Sequence, residues 1–348
     1  MRDRTATLHC FKRWKIKELE MFEARQWIFL VPYFDRDPKD FGKVQQYLLP
    51  DSATLPFTIF SKVPGTRNHF SQLFKAKVHK DHHNIQSDMV EDYSLKEEDR
   101  NVFAIKELTP NAYANPRDEL LALRLVNKTA HPHLIMLLAS YQQFGNIYLI
   151  FPWAKCYLDA FWKEHDPQND HTIRYWAVRQ FEGLASGLAA IHSFRVRSDD
   201  SIFSRNIELF CRHGDIKPQN ILWFSHADTD RGILKLADFG TAEVKAEEAA
   251  HWKSYAWTQT YRPPESYNFT LPREDLVSTS YDIWSLGCVL LEFITWLFGG
   301  PAALDQFVTD RRHEDQSTDA HLQVGTAFFA LSQDYVTGEP IATATIRP

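Results

Sequence analysis

The run His213-Gly214-Asp215-Ile216-Lys217-Pro218-Gln219-Asn220-Ile221-Leu222 decides the reading of this chain. It sets a carboxylate, an ammonium and an amide within one turn, bounded on the far side by the apolar pair Ile221 and Leu222. Further along, Leu234-Lys235-Leu236-Ala237-Asp238-Phe239-Gly240 reads as a short strand ending in a second carboxylate, beside a glycine that permits a sharp turn. Such a strand end places Asp238 at the lip of a cleft.

Phosphoryl transfer needs this set of groups. A carboxylate orients the acceptor hydroxyl and takes its proton, a cation neutralises the phosphate, and oxygen ligands hold a divalent metal. The first run resembles the catalytic loop of eukaryotic protein kinases, and the second resembles the Asp-Phe-Gly element that follows it in that family. The resemblance implies that Asp215 is the catalytic base. It also implies that Lys217, characteristic of Ser/Thr kinases, neutralises phosphate charge, and that Asn220 and Asp238 hold Mg2+ while Phe239 packs under a regulatory helix. Upstream, Ala104-Ile105-Lys106 on an expected strand resembles the family's phosphate-binding lysine, so Lys106 would hold the α and β phosphates of ATP by charge-assisted bonds. A buried lysine requires a paired carboxylate. Asp118 and Glu119 both open the next helical segment. Glu119 is preferred because Leu123, one turn later, then shares its face towards the core.

The same resemblance places the remaining elements in family order. Thr258-Gln259-Thr260-Tyr261-Arg262-Pro263-Pro264-Glu265 looks like the segment closing the activation loop, with Pro263 in place of the usual Ala. Thr258 would hydrogen-bond near Asp215 and Lys217. Asp282-Ile283-Trp284-Ser285-Leu286-Gly287 looks like the start of the central C-lobe helix, with Asp282 fixing the catalytic-loop backbone. Phe151 would be the gatekeeper, with Pro152, Trp153 and Ala154 as the hinge. The Ala154 amide would bond the adenine edge, and Ala104 and Leu222 would sandwich the ring. Pro152 loses nothing there, because its carbonyl and not its N–H is required.

Three departures stand out. The phosphate-covering loop of kinases is glycine-rich so that amides approach the nucleotide. Here Gly65 and the Phe70-Ser71-Gln72-Leu73 end align with it, while Arg67 or Asn68, and Ser71, stand where glycines are expected. Gly214 replaces the Arg that in many kinases pairs with a phosphorylated activation loop, so that ion pair is not expected to switch this chain. Beyond Pro301 the sequence reads as a polar stretch, one apolar piece near Phe328 and a Thr/Gly/Pro-rich end. That makes an apparently truncated C-lobe in which Glu265 lacks its partner.

The expected fold is α+β and bilobal, with a small β-rich N-lobe carrying one regulatory helix and a larger, mainly helical C-lobe. Residues 1–56 form an N-terminal extension, 57–154 the N-lobe and hinge, 155–300 the C-lobe, and 301–348 an irregular tail. Periodicity predicts a charged helix over 12–25, two strands joined by a turn over 57–78, a strand over 102–106, a helix over 117–126, a buried strand over 148–153 and a long helix over 172–192. Residues 79–100 and 195–212 read as polar insertions, and His79, His82 and His83 as part of the first of these rather than as a metal site.

At 348 residues and 44% hydrophobic content the chain fills a large core, and a net charge of −6 argues against nucleic acid as a partner. Four unpaired-spaced cysteines and a charged N-terminus point to a cytoplasmic or nuclear protein. The apolar run 283–298 contains Glu292 and ends at Gly299-Gly300-Pro301, which favours a core helix over a membrane span. The reading is therefore an ATP- and Mg2+-dependent Ser/Thr protein kinase acting on protein hydroxyls, similar in layout to kinases of filamentous fungi. The alternative is a pseudokinase or scaffold with weak nucleotide binding. A small-molecule phosphotransferase of the same fold fits Lys217 and the 258–265 segment less well.

Overall fold

A computed structural model describes residues 9–37, 43–65, 71–85, 101–109, 116–168, 170–196, 207–226, 229–246, 260–267, 278–313, 327–333 and 340–343. The chain opens with helix α1 (Ile16–Gln26), which buries none of its side chains. A six-stranded sheet follows, in the order β1-β5-β6-β4-β3-β2. Its strands are β1 (Gln45–Leu48), β2 (Phe57–Lys62), β3 (Ser71–Val78), β4 (Val102–Leu108), β5 (Ala139–Gln143) and β6 (Asn146–Pro152). Alternation in β3 puts Phe74, Ala76 and Val78 into a core shared with Ile105 and Ile150. The β5–β6 turn has positive φ at both Phe144 (53°) and Gly145 (76°), the geometry that matches the twist of a tight hairpin. A phenylalanine pays strain in that conformation, offset here by its N–H donating to Asp51 Oδ1 at 2.7 Å.

Helix α2 (Pro116–Thr129) bridges the sheet to the larger lobe, where Leu120, Leu123 and Val126 enter the main core. That lobe contains α3 (Leu158–Glu164), α4 (His171–His192) and α5 (Ser280–His313). Two three-stranded sheets accompany them. One joins β7 (Cys156–Tyr157), β10 (Ile221–His226) and β11 (Thr229–Leu236), and the other joins β8 (Phe194–Val196), β9 (Ile207–Arg212) and β12 (Glu243–Lys245). A C-terminal hairpin pairs β13 (Ala330–Gln333) with β14 (Pro340–Thr343). The α+β, bilobal architecture is the expected one.

Four local expectations change. Residues 45–48, expected within an N-terminal extension, join the sheet: as β1 they form an edge strand, parallel to β5, with Gln46 opposite Ser140. The ends of the 195–212 insertion pair as β8 and β9, because Phe194, Leu209 and Val244 close over Leu125 of α2. His83, expected in a solvated loop, is buried, with its backbone bridged to Phe34 and its ring edge-on to Phe103 at 5.2 Å. Pro301 does not end the helical structure. Gly300 breaks the helix at φ +73°, and a second helical stretch runs on to His313 with Pro301 in its first turn, where a missing N–H is harmless. Helix α5 is long and apolar enough to cross a membrane by length and composition. Its Val289, Phe293 and Trp296 nevertheless lie in the protein core, with Trp296 Nε1 donating to the Trp162 carbonyl at 2.9 Å.

Candidate active site

Lys106 sits mid-strand in β4, flanked by Leu73 on β3 and Leu149 on β6, so sheet pairing on both sides fixes its backbone. Its Nζ lies 2.7 Å from Glu119 Oε1 and 2.6 Å from Asp238 Oδ1. Asp118 is exposed, so geometry selects Glu119 of the two candidates. Burial alone would lower the Lys106 pKa, but Asp238 and Glu119 outweigh it and raise the value above the ordinary lysine range. Burial raises Glu119 despite the attraction of Lys106. Burial also pushes Asp238 up, but Lys106 overcomes it and holds the carboxyl at about 2. Asp238 adopts a left-handed backbone (φ 62°), a conformation Asp tolerates better than most residues. It turns its carboxylate into the cleft, with 41% of the side chain reaching solvent.

The catalytic-loop run is held from beneath. Asp282, fully buried at the start of α5, accepts the N–H groups of His213 (2.7 Å) and Gly214 (2.8 Å), and the Nε2 of His192 lies 2.9 Å from it. Burial would raise the Asp282 pKa, but His192, His213 and the Gly214 amide lower it below the ordinary carboxylate range. Gly214 has φ +83°, and a Cβ there would meet the Thr241 carbonyl oxygen at 3.1 Å. A side chain there would meet both a left-handed backbone and a tight contact. Thr241 Oγ1 closes the loop by donating to the His213 carbonyl at 2.9 Å, and the His213 ring lies 4.7 Å from that of buried Phe239.

Asp215 collects the remaining chemistry. Lys217 Nζ donates to its Oδ2 at 2.7 Å, and Asn220 Nδ2 donates to the same oxygen at 3.0 Å and to the Asp215 carbonyl at 2.7 Å. With its amide nitrogen so used, Asn220 Oδ1 accepts no hydrogen bond among the described residues. That oxygen and the Asp238 carboxylate are hard donors of the kind Mg2+ prefers.

On the adenine side, Ala104 pairs with Phe151 between β4 and β6, and Pro152 ends β6 opposite Phe103. Phe151, Ala154 and Leu222 are partly buried against the main core. The hinge is tied to β10 by the Lys155 N–H, which donates to the Trp223 carbonyl at 2.9 Å beside Leu222. Gly65 has φ +74° and open space where a Cβ would stand. Arg67, Asn68 and Thr258 lie outside the described residues. Glu265 is half-buried in a 3-10 turn (Pro264–Tyr267) and has no ion-pair partner among the described residues.

Three features of the site's surroundings escaped sequence reasoning. His192, a lone histidine at a helix end, supports Asp282. Lys75 Nζ lies 4.9 Å over the Trp153 ring and links β3 to the hinge. Arg311 reaches back to Glu292 at 2.6 Å, while the Tyr261 hydroxyl donates to the other Glu292 oxygen at 2.8 Å. Glu292 carried a signal, an acid in the middle of an apolar helix, but its partner did not.

The protein kinase domain family model matches residues 92–312, beginning beyond the β2–β3 hairpin, whose loop holds Gly65 where the family has several glycines. Among curated proteins, the chain is similar to human cyclin-dependent kinase-like 4, at 30% identity over 189 residues, or 54% of this chain and 42% of the relative. The mouse protein of the same name is 26% identical over 189 residues, 54% of this chain and 47% of the relative. The chain spans less than half the length of these curated relatives in the matched stretch. With a family match across most of the chain and both lobes of the expected architecture, the chain belongs to the protein kinase domain family.

Proposed function

We propose that the chain is a Ser/Thr protein kinase that transfers the γ-phosphate of ATP to a protein hydroxyl. The observation that carries this reading is the meeting of Lys106, Glu119 and Asp238 within 2.7 Å contacts, close to the Asp215-Lys217-Asn220 turn. Asp215, steadied by Lys217 and Asn220, orients the acceptor hydroxyl and takes its proton as the oxygen bonds to phosphorus and the bond to the β-phosphate oxygen breaks. Lys217 then lies beside the transferred group, and Lys106 holds the α and β phosphates. Asn220 Oδ1 and Asp238 supply the donors for Mg2+, which when bound spreads the charge developing on the phosphates. Leu73, Ala104, Phe151, Pro152, Ala154 and Leu222 would enclose the adenine, and Gly65 opens the loop above it. Likeness to relatives named as cyclin-dependent kinase-like supports a Ser/Thr acceptor, as does Lys217.

The test is incorporation of labelled phosphate from ATP into a generic protein, compared with Asp215→Asn. We expect a loss of about 10³-fold in the variant, and equal incorporation by both proteins sinks the reading. A nucleotide-binding scaffold without transfer is the second reading, favoured by Ser71 standing at a glycine position at the first residue of β3. It predicts a thermal shift with ATP and Mg2+ but no labelled product in either protein.

A further inference from the structure

Helix α2 is pinned at one end and works at the other. At its C-terminal end Asn127, almost fully buried, donates from Nδ2 to the Leu137 carbonyl at 2.6 Å and accepts the Leu137 N–H at 2.9 Å. The adjoining stretch is fixed to the larger lobe by the Ile135 N–H, which donates to the Leu236 carbonyl at 2.8 Å. Glu119 lies about 12 Å from that pin at a rise of about 1.5 Å per residue, so a tilt of about 10° moves it by about 2 Å. Such a movement breaks its 2.7 Å contact with Lys106.

Between pin and working end, the N-terminal segment meets the helix. Arg124 Nη2 donates to Gln46 Oε1 at 3.1 Å, and Gln46 belongs to β1. Val44 packs on the same core that receives Leu120, Leu123 and Val126. This segment is itself held independently of α2. β1 is in parallel register with β5, the Leu49 N–H donates to the Gln142 carbonyl at 3.0 Å, and Gln143 Nε2 donates to the carbonyls of Pro50 (3.1 Å) and Ala53 (3.0 Å). Gly214 itself offers no cation to the loop that follows Thr241.

We infer that residues 43–49 form an intramolecular brace that positions α2, and through it Glu119, against Lys106, with Val44 and Gln46 as positioning residues. The inference rests on the reading of Lys106 as the lysine that holds the nucleotide phosphates.

The decisive measurement is hydrogen exchange of the α2 amides in the full chain, which needs no catalysis. Val44→Ala combined with Gln46→Ala should speed exchange around Glu119 by about tenfold, whereas Leu48→Ser, on the same strand with its side chain 75% exposed, should change it less than twofold. Gln46→Glu, which sets a carboxylate opposite Arg124, should slow exchange and covers the case in which the double variant fails to fold. Unchanged exchange in a folded double variant, or in Gln46→Glu where the double variant does not fold, overturns the brace. In phosphotransfer assays with ATP and Mg2+, the double variant should raise KM for ATP several-fold with kcat less affected. In a Glu119→Gln background, where the contact is already broken, it should add less than twofold. Full additivity in that background also overturns the inference. A wild-type chain that transfers no phosphate defeats the kinase reading instead, and the exchange result still decides the brace.

Discussion

At the cleft, Lys106 faces two carboxylates, Glu119 at 2.7 Å and Asp238 at 2.6 Å, whereas in the larger lobe Arg311 meets one carboxylate among the described residues, Glu292 at 2.6 Å. The first network is left with a surplus negative charge and opens to solvent through Asp238. The second is sealed at 1% and 3% exposure and roofed by Phe328, whose ring centroid lies 3.8 Å from the Arg311 guanidinium. Burial raises the Glu292 pKa even though Arg311 and the Tyr261 hydroxyl pull it down. The site proposed to receive a cation and phosphates keeps charge in hand and water within reach. A site that only holds helices together pairs its charge and excludes water, because an unpaired buried ion costs several kcal/mol.

The difference can be broken from the structural side first. Arg311→Met should destabilise the chain by about 3–5 kcal/mol in urea unfolding, since it strands the Glu292 carboxylate in the core. Arg311→Met with Glu292→Leu should recover much of that loss. Breaking the cleft network should act differently. Lys106→Met should lower phosphotransfer by about 100-fold while shifting the unfolding midpoint less than Arg311→Met. The reason lies in the partners: Glu119, already raised by burial, takes up a proton, and Asp238 turns to solvent.

A half-buried group sharpens the contrast through pH. Burial holds His133 down to about 4, its Nδ1 within 2.8 Å of the Leu234 carbonyl, and His131 beside it is lowered in the same sense. Lys235 is near both histidines and is itself pushed down to about 8 by burial. The native state disfavours the His133 proton, so the unfolded chain takes it up first. Stability present above about pH 6.5 is then lost as pH falls towards 4. Chemical denaturation across that range should show the slope, and His133→Gln should flatten it. The smallest effect is expected at the hinge, where Lys75→Met removes the cation over Trp153 and should cost about 0.5–1 kcal/mol by thermal unfolding.

What the sequence made legible was what local chemistry encodes. Asp215, Lys217 and Asn220 fall within one turn, and Lys106 on a strand and Glu119 on the next helix were paired by the need of a buried lysine for a carboxylate. The long-range choices were not legible. Gln45–Leu48 is too short to show alternation, and its partner β5 lies nearly a hundred residues away. The β8 and β9 strands are hidden by a polar connection, and their apolar faces acquire meaning only against Leu125. The second half of α5 was read as a tail because Pro301 and the charged run after it lack a core-facing stripe until the Arg311 side chain is seen to turn inward.

That inward turn depends on Gly300. In an unbroken helix, Glu292 and Arg311 would stand about 28 Å apart along the axis. The reversal at φ +73° brings them to 2.6 Å, and a Cβ at that point would press on Asp166 Oδ1 at 3.2 Å. The ion pair is therefore a vernier set by counting residues from one glycine. Adding a single residue between 301 and 311 rotates the guanidinium by about 100° around the second helix and delivers it to solvent.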